Sequence, residues 1–255
     1  MRFEGRPLDF VSGRTHMIRT FFIAAFTCVC TFVLGIATII SSFFTRTGNF
    51  PHLIARAWAN AILFVSGVRV TVTGVSHIDP DKSYIYMPNH QGNFDIPVLL
   101  GRLPVQFRWL AKEEVFRIPI MGRGMRACGY ISIDRSDRQS AFKSLERAVE
   151  TIRDGTSVVI FPEGTRSVDG KLKSFKKGGF VIAADAGVPI VPVAIHDTWE
   201  IMPKKRFLIK PRDVLLEIRA PVDTTGYSRE TKNELMEKIR RIIKERLDRG
   251  REKTS

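Results

Sequence analysis

The chain has 255 residues, 44% hydrophobic and 26% charged. That excludes a disordered tail or a multi-span membrane protein and fits one α/β-sized domain plus an accessory segment. Forty Lys and Arg against 26 Asp and Glu leave +14 at pH 7, a balance suited to nucleic acid, an anionic membrane or a phosphorylated substrate. Three cysteines cannot build a disulfide framework and lack zinc-type spacing, so the default compartment is reducing.

Residues 20–44 (TFFIAAFTCVCTFVLGIATIISSFF) carry no charge, and Arg14, Arg19 and Arg46 flank them. At ~1.5 Å per residue such a helix is long enough for a ~30 Å hydrocarbon core. The run exceeds a signal-peptide core, and no small-residue cleavage site follows it. Arg2, Arg6, Arg14 and Arg19 precede it, which places the N-terminus in the cytoplasm. A single crossing would put the remaining chain outside, and the shortage of cysteine pairs argues against that. Residues 48–68 read GNFPHLIARAWANAILFVSGV, with His52, Arg56 and Asn60 spaced by four. This narrow polar stripe on an apolar helix predicts a helix at a membrane interface. The two segments are therefore expected to form a helical hairpin that enters one leaflet and returns. Residues 1–67 are assigned to the anchor and 68–255 to the following domain.

Beyond residue 67 the pattern changes. Segments 69–75, 83–87, 107–110, 130–133, 157–161, 190–195 and 214–218 are short and rich in β-branched or aromatic residues, the signature of strands. Helices are predicted at 96–101, 138–153, 178–186 and 229–249. The last places Leu235, Met236, Ile239, Ile242, Ile243 and Leu247 on one face. This alternation predicts an α/β fold: a mixed, largely parallel sheet flanked by helices.

Four polar clusters follow predicted strands, where an α/β sheet presents its chemistry. In PNHQGNFD (88–95), His90 leaves a strand and Gly92 permits a tight turn. Asn93 is a good helix N-cap, which places Asp95 in the first helical turn. The carboxylate can then fold back on the imidazole, fix its tautomer and leave the other nitrogen as a general base. An aspartate cap beside a surface histidine fits the same spacing. Two ligands with no local third make a metal site a poor reading. The second cluster runs from Lys112 to Gly122 and on to Asp134 and Arg135; a solvated charged loop fits most of it. In FPEGTRS (161–167), Gly164 lets backbone N–H groups approach an anion, Thr165 adds a hydroxyl, and Arg166 can grip a phosphate with two nitrogens. A plain β-turn is the alternative there. VPIVPV (188–193) marks an edge or bulged strand.

In this order the four clusters resemble the glycerolipid acyltransferase family. His90 and Asp95 match its His-x4-Asp motif, and Lys112 through Asp134-Arg135 match its second block. FPEGTRS and VPIVPV match the third and fourth. The resemblance implies transfer of a fatty acyl group from acyl-CoA or acyl-carrier protein to a lysolipid hydroxyl, most closely the sn-2 hydroxyl of lysophosphatidic acid. It implies His90 as base, Asp95 as its orienting partner and Arg166 as the phosphate ligand. Gly164 and Thr165 shape the turn. Glu163 positions the glycerol hydroxyl or holds Arg166, and Lys112 and Arg135 are further phosphate candidates. Backbone N–H groups at 91–93, around Asn93, are the expected oxyanion donors. No cofactor is implied beyond the thioester co-substrate. The membrane-anchored enzyme is expected at the cytoplasmic face of the inner membrane, among anionic lipids. Nucleic acid is not an expected partner, since no helix-turn-helix, zinc pattern or interleaved aromatics accompany the basic residues.

Overall fold

The structure is a computed structural model that describes residues 7–45, 47–134, 136–203 and 207–252. Among the described residues, seven strands form one sheet in the order β1-β7-β6-β2-β5-β3-β4. They are β1 (Arg69–Thr73), β2 (Ile85–Pro88), β3 (Arg108–Lys112), β4 (Ile131–Ile133), β5 (Val158–Val159), β6 (Ile190–Ile195) and β7 (Asp213–Ile218). Every adjacent pair is parallel except β6 with β7. The expected mixed, largely parallel sheet flanked by helices is what forms.

The period-two pattern of the strands sorts side chains to the two faces. Tyr84, Tyr86, Trp109, Val159, Val191, Val193 and Ile195 point to one core, and Ile85, Met87, Leu110, Val158, Ile160 and Ala194 to the other. The helices are α1 (Pro7–Ser42), α2 (Asn49–Ser66), α3 (Asp95–Arg102), α4 (Glu113–Phe116), α5 (Met121–Ala127), α6 (Arg138–Arg153), α7 (Gly178–Ala186), α8 (Thr198–Ile201) and α9 (Lys232–Glu252). Residues of α2 and α3 complete the first core, and residues of α6, α7 and α9 the second. Leu235, Ile239, Ile243 and Leu247 of α9 are buried in the second core. Each buried side chain of that size contributes roughly 1.5–3 kcal/mol.

VPIVPV is not an edge strand. β6 lies between β2 and β7 and is buried throughout. β6 itself is not bulged: Val193 pairs with Ile218 but Ile190 pairs with Val222, so the extra residue lies in the facing chain at 219–221, beyond the Arg219 N–H that donates to the Pro192 carbonyl at 3.0 Å.

At the N-terminus α1 and α2 pack antiparallel. Trp58 Nε1 donates to Thr31 Oγ1 at 2.9 Å, and Arg19 Nη2 donates to the Ser66 carbonyl at 3.1 Å. One face of α1 stays uncovered, with Ile18, Phe21, Phe22 and Val29 each well exposed. Within it, residues 16–42 are long and apolar enough to cross a membrane. The polar stripe of α2 faces the body of the protein. His52 is fully buried, with Nδ1 3.0 Å from the Tyr130 hydroxyl, and Arg56 Nη1 donates to the Val105 carbonyl at 3.2 Å. Asn60 packs beside Gly101 of α3. The stripe grips the body of the protein, and the exposed face of α2 carries Phe50, Leu53 and Phe64 instead.

Candidate active site

Because β6, β2, β5, β3 and β4 run parallel as neighbours, their carboxyl ends open on one sheet edge. That topology brings together clusters far apart in sequence. At the β2–α3 turn, Asn89 ties the edge: its Nδ2 donates to the Ile195 carbonyl at 2.9 Å and its Oδ1 accepts the Ile195 N–H at 2.7 Å. His90 follows. Its Nδ1 lies 2.7 Å from Asp95 Oδ2, so the expected pair forms. With Nδ1–H donated to the carboxylate, Nε2 is the nitrogen left to act on a substrate.

Asp95 is completely buried. Oδ2 also accepts the N–H groups of Gln91 (2.7 Å) and Gly92 (3.0 Å), while the Thr198 hydroxyl donates to Oδ1. These bonds fold the 90–95 loop around the carboxylate. They also correct the expected oxyanion site: the amides of Gln91 and Gly92 serve Asp95, and that of Asn93 donates to the Met202 carbonyl at 3.4 Å. Asn93 is not the helix cap either; Phe94 takes that place and Asp95 opens α3. Gly92 is required by close approach, since a Cβ there would sit 2.5 Å from the Thr198 carbonyl oxygen.

The imidazole stacks on Phe161, with ring centroids 3.8 Å apart, and Phe161 stacks in turn on Trp109. Phe161 begins the FPEGTRS turn, where Gly164 adopts φ +67°. The Ser167 N–H donates to the His90 carbonyl at 2.8 Å, locking the two turns together. Glu163 departs from expectation. It is buried, and its oxygens accept the His90 N–H at 2.6 Å and the Lys173 N–H at 2.9 Å, so among the described residues it holds main chain and not Arg166. Burial raises its pKa to about 7, against the lowering effect of the two N–H groups and of Lys173.

A cavity of about 760 Å³ joins these parts. His90, Asn93, Lys112, Gly164, Thr165 and Arg166 all line it. Arg166 is half-buried and has no carboxylate partner among the described residues, which leaves its guanidinium for a ligand. Lys112 is exposed at the rim. Arg135 lies outside the described residues. Away from the polar end the wall is apolar, formed by α3, β3, α5 and the facing sides of α1 and α2, including Leu100, Trp109, Met125 and Trp58. Thus the N-terminal pair of helices is part of the cavity wall.

Such a site sets an imidazole backed by a carboxylate, and a guanidinium with no carboxylate partner among the described residues, at one end of an apolar chamber. A model of the acyltransferase family matches residues 69–196, half of the chain and all four clusters. The chain belongs to the acyltransferase family. Among relatives of this chain is the chloroplastic 1-acyl-sn-glycerol-3-phosphate acyltransferase BAT2 of Brassica napus, 34% identical over 209 residues, 76% of this chain and 60% of the relative. A 1-acyl-sn-glycerol-3-phosphate acyltransferase of Borreliella burgdorferi is 29% identical over 196 residues, 77% of this chain and 78% of that one. The chain spans about half the length of several plant and algal relatives, 60%, 43% and 50% of three of them. The crystal structure of the 1-acyl-sn-glycerophosphate (LPA) acyltransferase PlsC from Thermotoga maritima superposes with a TM-score of 0.81 at 29% identity, covering 94% of this chain and 97% of that one.

The motifs missed Thr198, Phe161 as a ring support and Asn89 as the tie between β2 and β6. Thr198 stands 103 positions from Asp95. Only the crossing of β6 beside β2 brings it near, and no local pattern encodes that.

Proposed function

We propose that this protein transfers a fatty acyl group from acyl-CoA or acyl-carrier protein to the sn-2 hydroxyl of 1-acyl-glycerol-3-phosphate, giving phosphatidic acid. The observation that carries the reading is a single cavity holding His90 beside Asp95 at one point and Arg166, with no carboxylate partner among the described residues, at another, with an apolar extension. The names of the relatives point to the same reaction.

An alcohol has a pKa near ~15 and needs its proton removed as it attacks a thioester. His90 Nε2 takes that proton while the hydroxyl oxygen bonds to the thioester carbonyl carbon. Asp95 holds the ring and stabilises the imidazolium, as in a triad whose serine is replaced by the substrate's own hydroxyl. The tetrahedral intermediate collapses, the C–S bond breaks, and His90 returns the proton to the departing thiolate. No acyl-enzyme forms. Arg166 binds the acceptor's phosphate, with Gly164 and Thr165 setting the turn and Lys112 at the rim. Glu163 keeps the His90 main chain in place.

The exposed apolar faces of α1 and α2 seat the protein in one leaflet at the cytoplasmic face of the membrane, where the lysolipid resides and the thioester arrives from solution. The +14 charge favours anionic lipids and either anionic donor. Labelled acyl transfer from each donor to lysophosphatidic acid by purified, detergent-solubilised protein tests the reading. Chromatography should show labelled phosphatidic acid; absence of product with both donors, or equal acylation of a phosphate-free acceptor, contradicts it.

A further inference from the structure

We propose that Thr198 is a positioning residue of the reaction, the third member of a His90–Asp95–Thr198 chain. The proposal rests on His90 acting as the base. Asp95 Oδ2 is occupied by the imidazole and two main-chain N–H groups, and Oδ1 faces the Thr198 hydroxyl. Thr198, like Asp95, is completely buried, so water cannot replace that donor without rearrangement.

The chain is built to deliver this hydroxyl. Asp197, just beyond β6, adopts φ +67°, a conformation costly for a non-glycine residue and one that turns the backbone into α8. α8 is then clamped to the catalytic loop. Gly92 forms a β-bridge with Pro203, and the Asn93 N–H donates to the Met202 carbonyl. Trp199 extends the same clamp to the arginine turn: it packs on Gly170, and its Nε1 donates to the Val168 carbonyl at 3.4 Å. Without its hydroxyl, Oδ1 is a buried carboxylate oxygen with no donor. The carboxylate then loses the bond that holds Oδ1 against rotation about Cβ–Cγ, and the aim of the imidazole is held less tightly through Oδ2 alone. Misalignment of this kind lowers turnover more than acceptor binding.

Steady-state kinetics of the Thr198→Val, Thr198→Ala and Thr198→Ser enzymes with lysophosphatidic acid and acyl-CoA test this. The valine and alanine enzymes should lose about tenfold or more in kcat, with the lysolipid KM within about twofold of wild type. The serine enzyme should keep at least about one third of wild-type kcat. A valine enzyme as active as serine, a loss confined to KM, or a serine enzyme as impaired as alanine overturns the proposal. Alanine carries the same expectation if valine prevents folding, and the serine result alone decides if neither folds. A His90→Ala enzyme measured alongside separates the two ideas. If it is inactive while Thr198→Val turns over normally, only the role of Thr198 fails; if it remains active, the base assignment itself fails.

Discussion

Glu163 accepts the main-chain N–H of His90 at 2.6 Å while Phe161, two residues before it, stacks on the His90 ring. One short turn therefore fixes both the backbone and the plane of the imidazole. It also carries Arg166, so the proposed proton acceptor and the proposed phosphate ligand are set by the same piece of chain.

The raised pKa of Glu163 makes its contribution to stability pH-dependent. Its folded value, about 7, lies above the ordinary 4.5. The folded state thus holds the proton that the unfolded state releases, and stability from this group is fully present below pH 4.5 and lost as pH rises through 7. In Glu163→Gln that dependence disappears, and one backbone N–H loses its acceptor. Denaturant titrations should show wild type more stable at pH 4.5, with its advantage shrinking by up to about 3 kcal/mol by pH 7.5. A difference constant with pH contradicts the assignment.

Arg166→Ala should raise the lysophosphatidic acid KM about tenfold to a hundredfold with a smaller change in kcat. The informative control is an acceptor with no phosphate. Preference for the phosphorylated acceptor should collapse in the variant, and its survival would place the phosphate elsewhere, with Lys112 the next residue to replace.

Gly92→Ala puts a methyl group 2.5 Å from the Thr198 carbonyl oxygen. α8 or the 90–95 loop must move apart. The expected result is a loss of about 1–3 kcal/mol of stability and of at least about tenfold in kcat. A variant with normal melting and turnover would show that the approach of α8 to the loop is not needed.

Asn89→Ala removes the side chain that satisfies both main-chain groups of Ile195 at the buried sheet edge. Stability should fall by about 2–4 kcal/mol in urea unfolding, because two buried polar groups are left unpaired. A change under about 0.5 kcal/mol contradicts this.

Much of this arrangement was legible in the sequence where signals are local. The boundaries of α6, α7 and β6 match the predicted ones, and α9 follows its apolar stripe. His90 and Asp95 meet because five residues of loop suffice to fold back. Other features depend on what lies across the structure. β5 narrows to Val158–Val159 because the chain leaves the ladder for the FPEGTRS turn. α5 was not foreseen because Gly122 and Gly124 disfavour a helix; Gly122 admits the Phe116 carbonyl where a Cβ would collide with it, which only packing reveals. The stripe of His52, Arg56 and Asn60 showed which residues share a face but not what the face meets. Glu163 lay in the right motif, but the groups that donate to it are main-chain N–H groups of His90 and Lys173, which carry no sequence signal.

The central claim is that the His90 imidazole removes the acceptor's proton. Its most direct measurement is single-turnover acyl transfer to lysophosphatidic acid by His90→Ala, with lysolipid binding measured in parallel. The account predicts that binding persists within a few-fold while transfer falls by about 10²-fold or more. Transfer at close to the wild-type rate would contradict it.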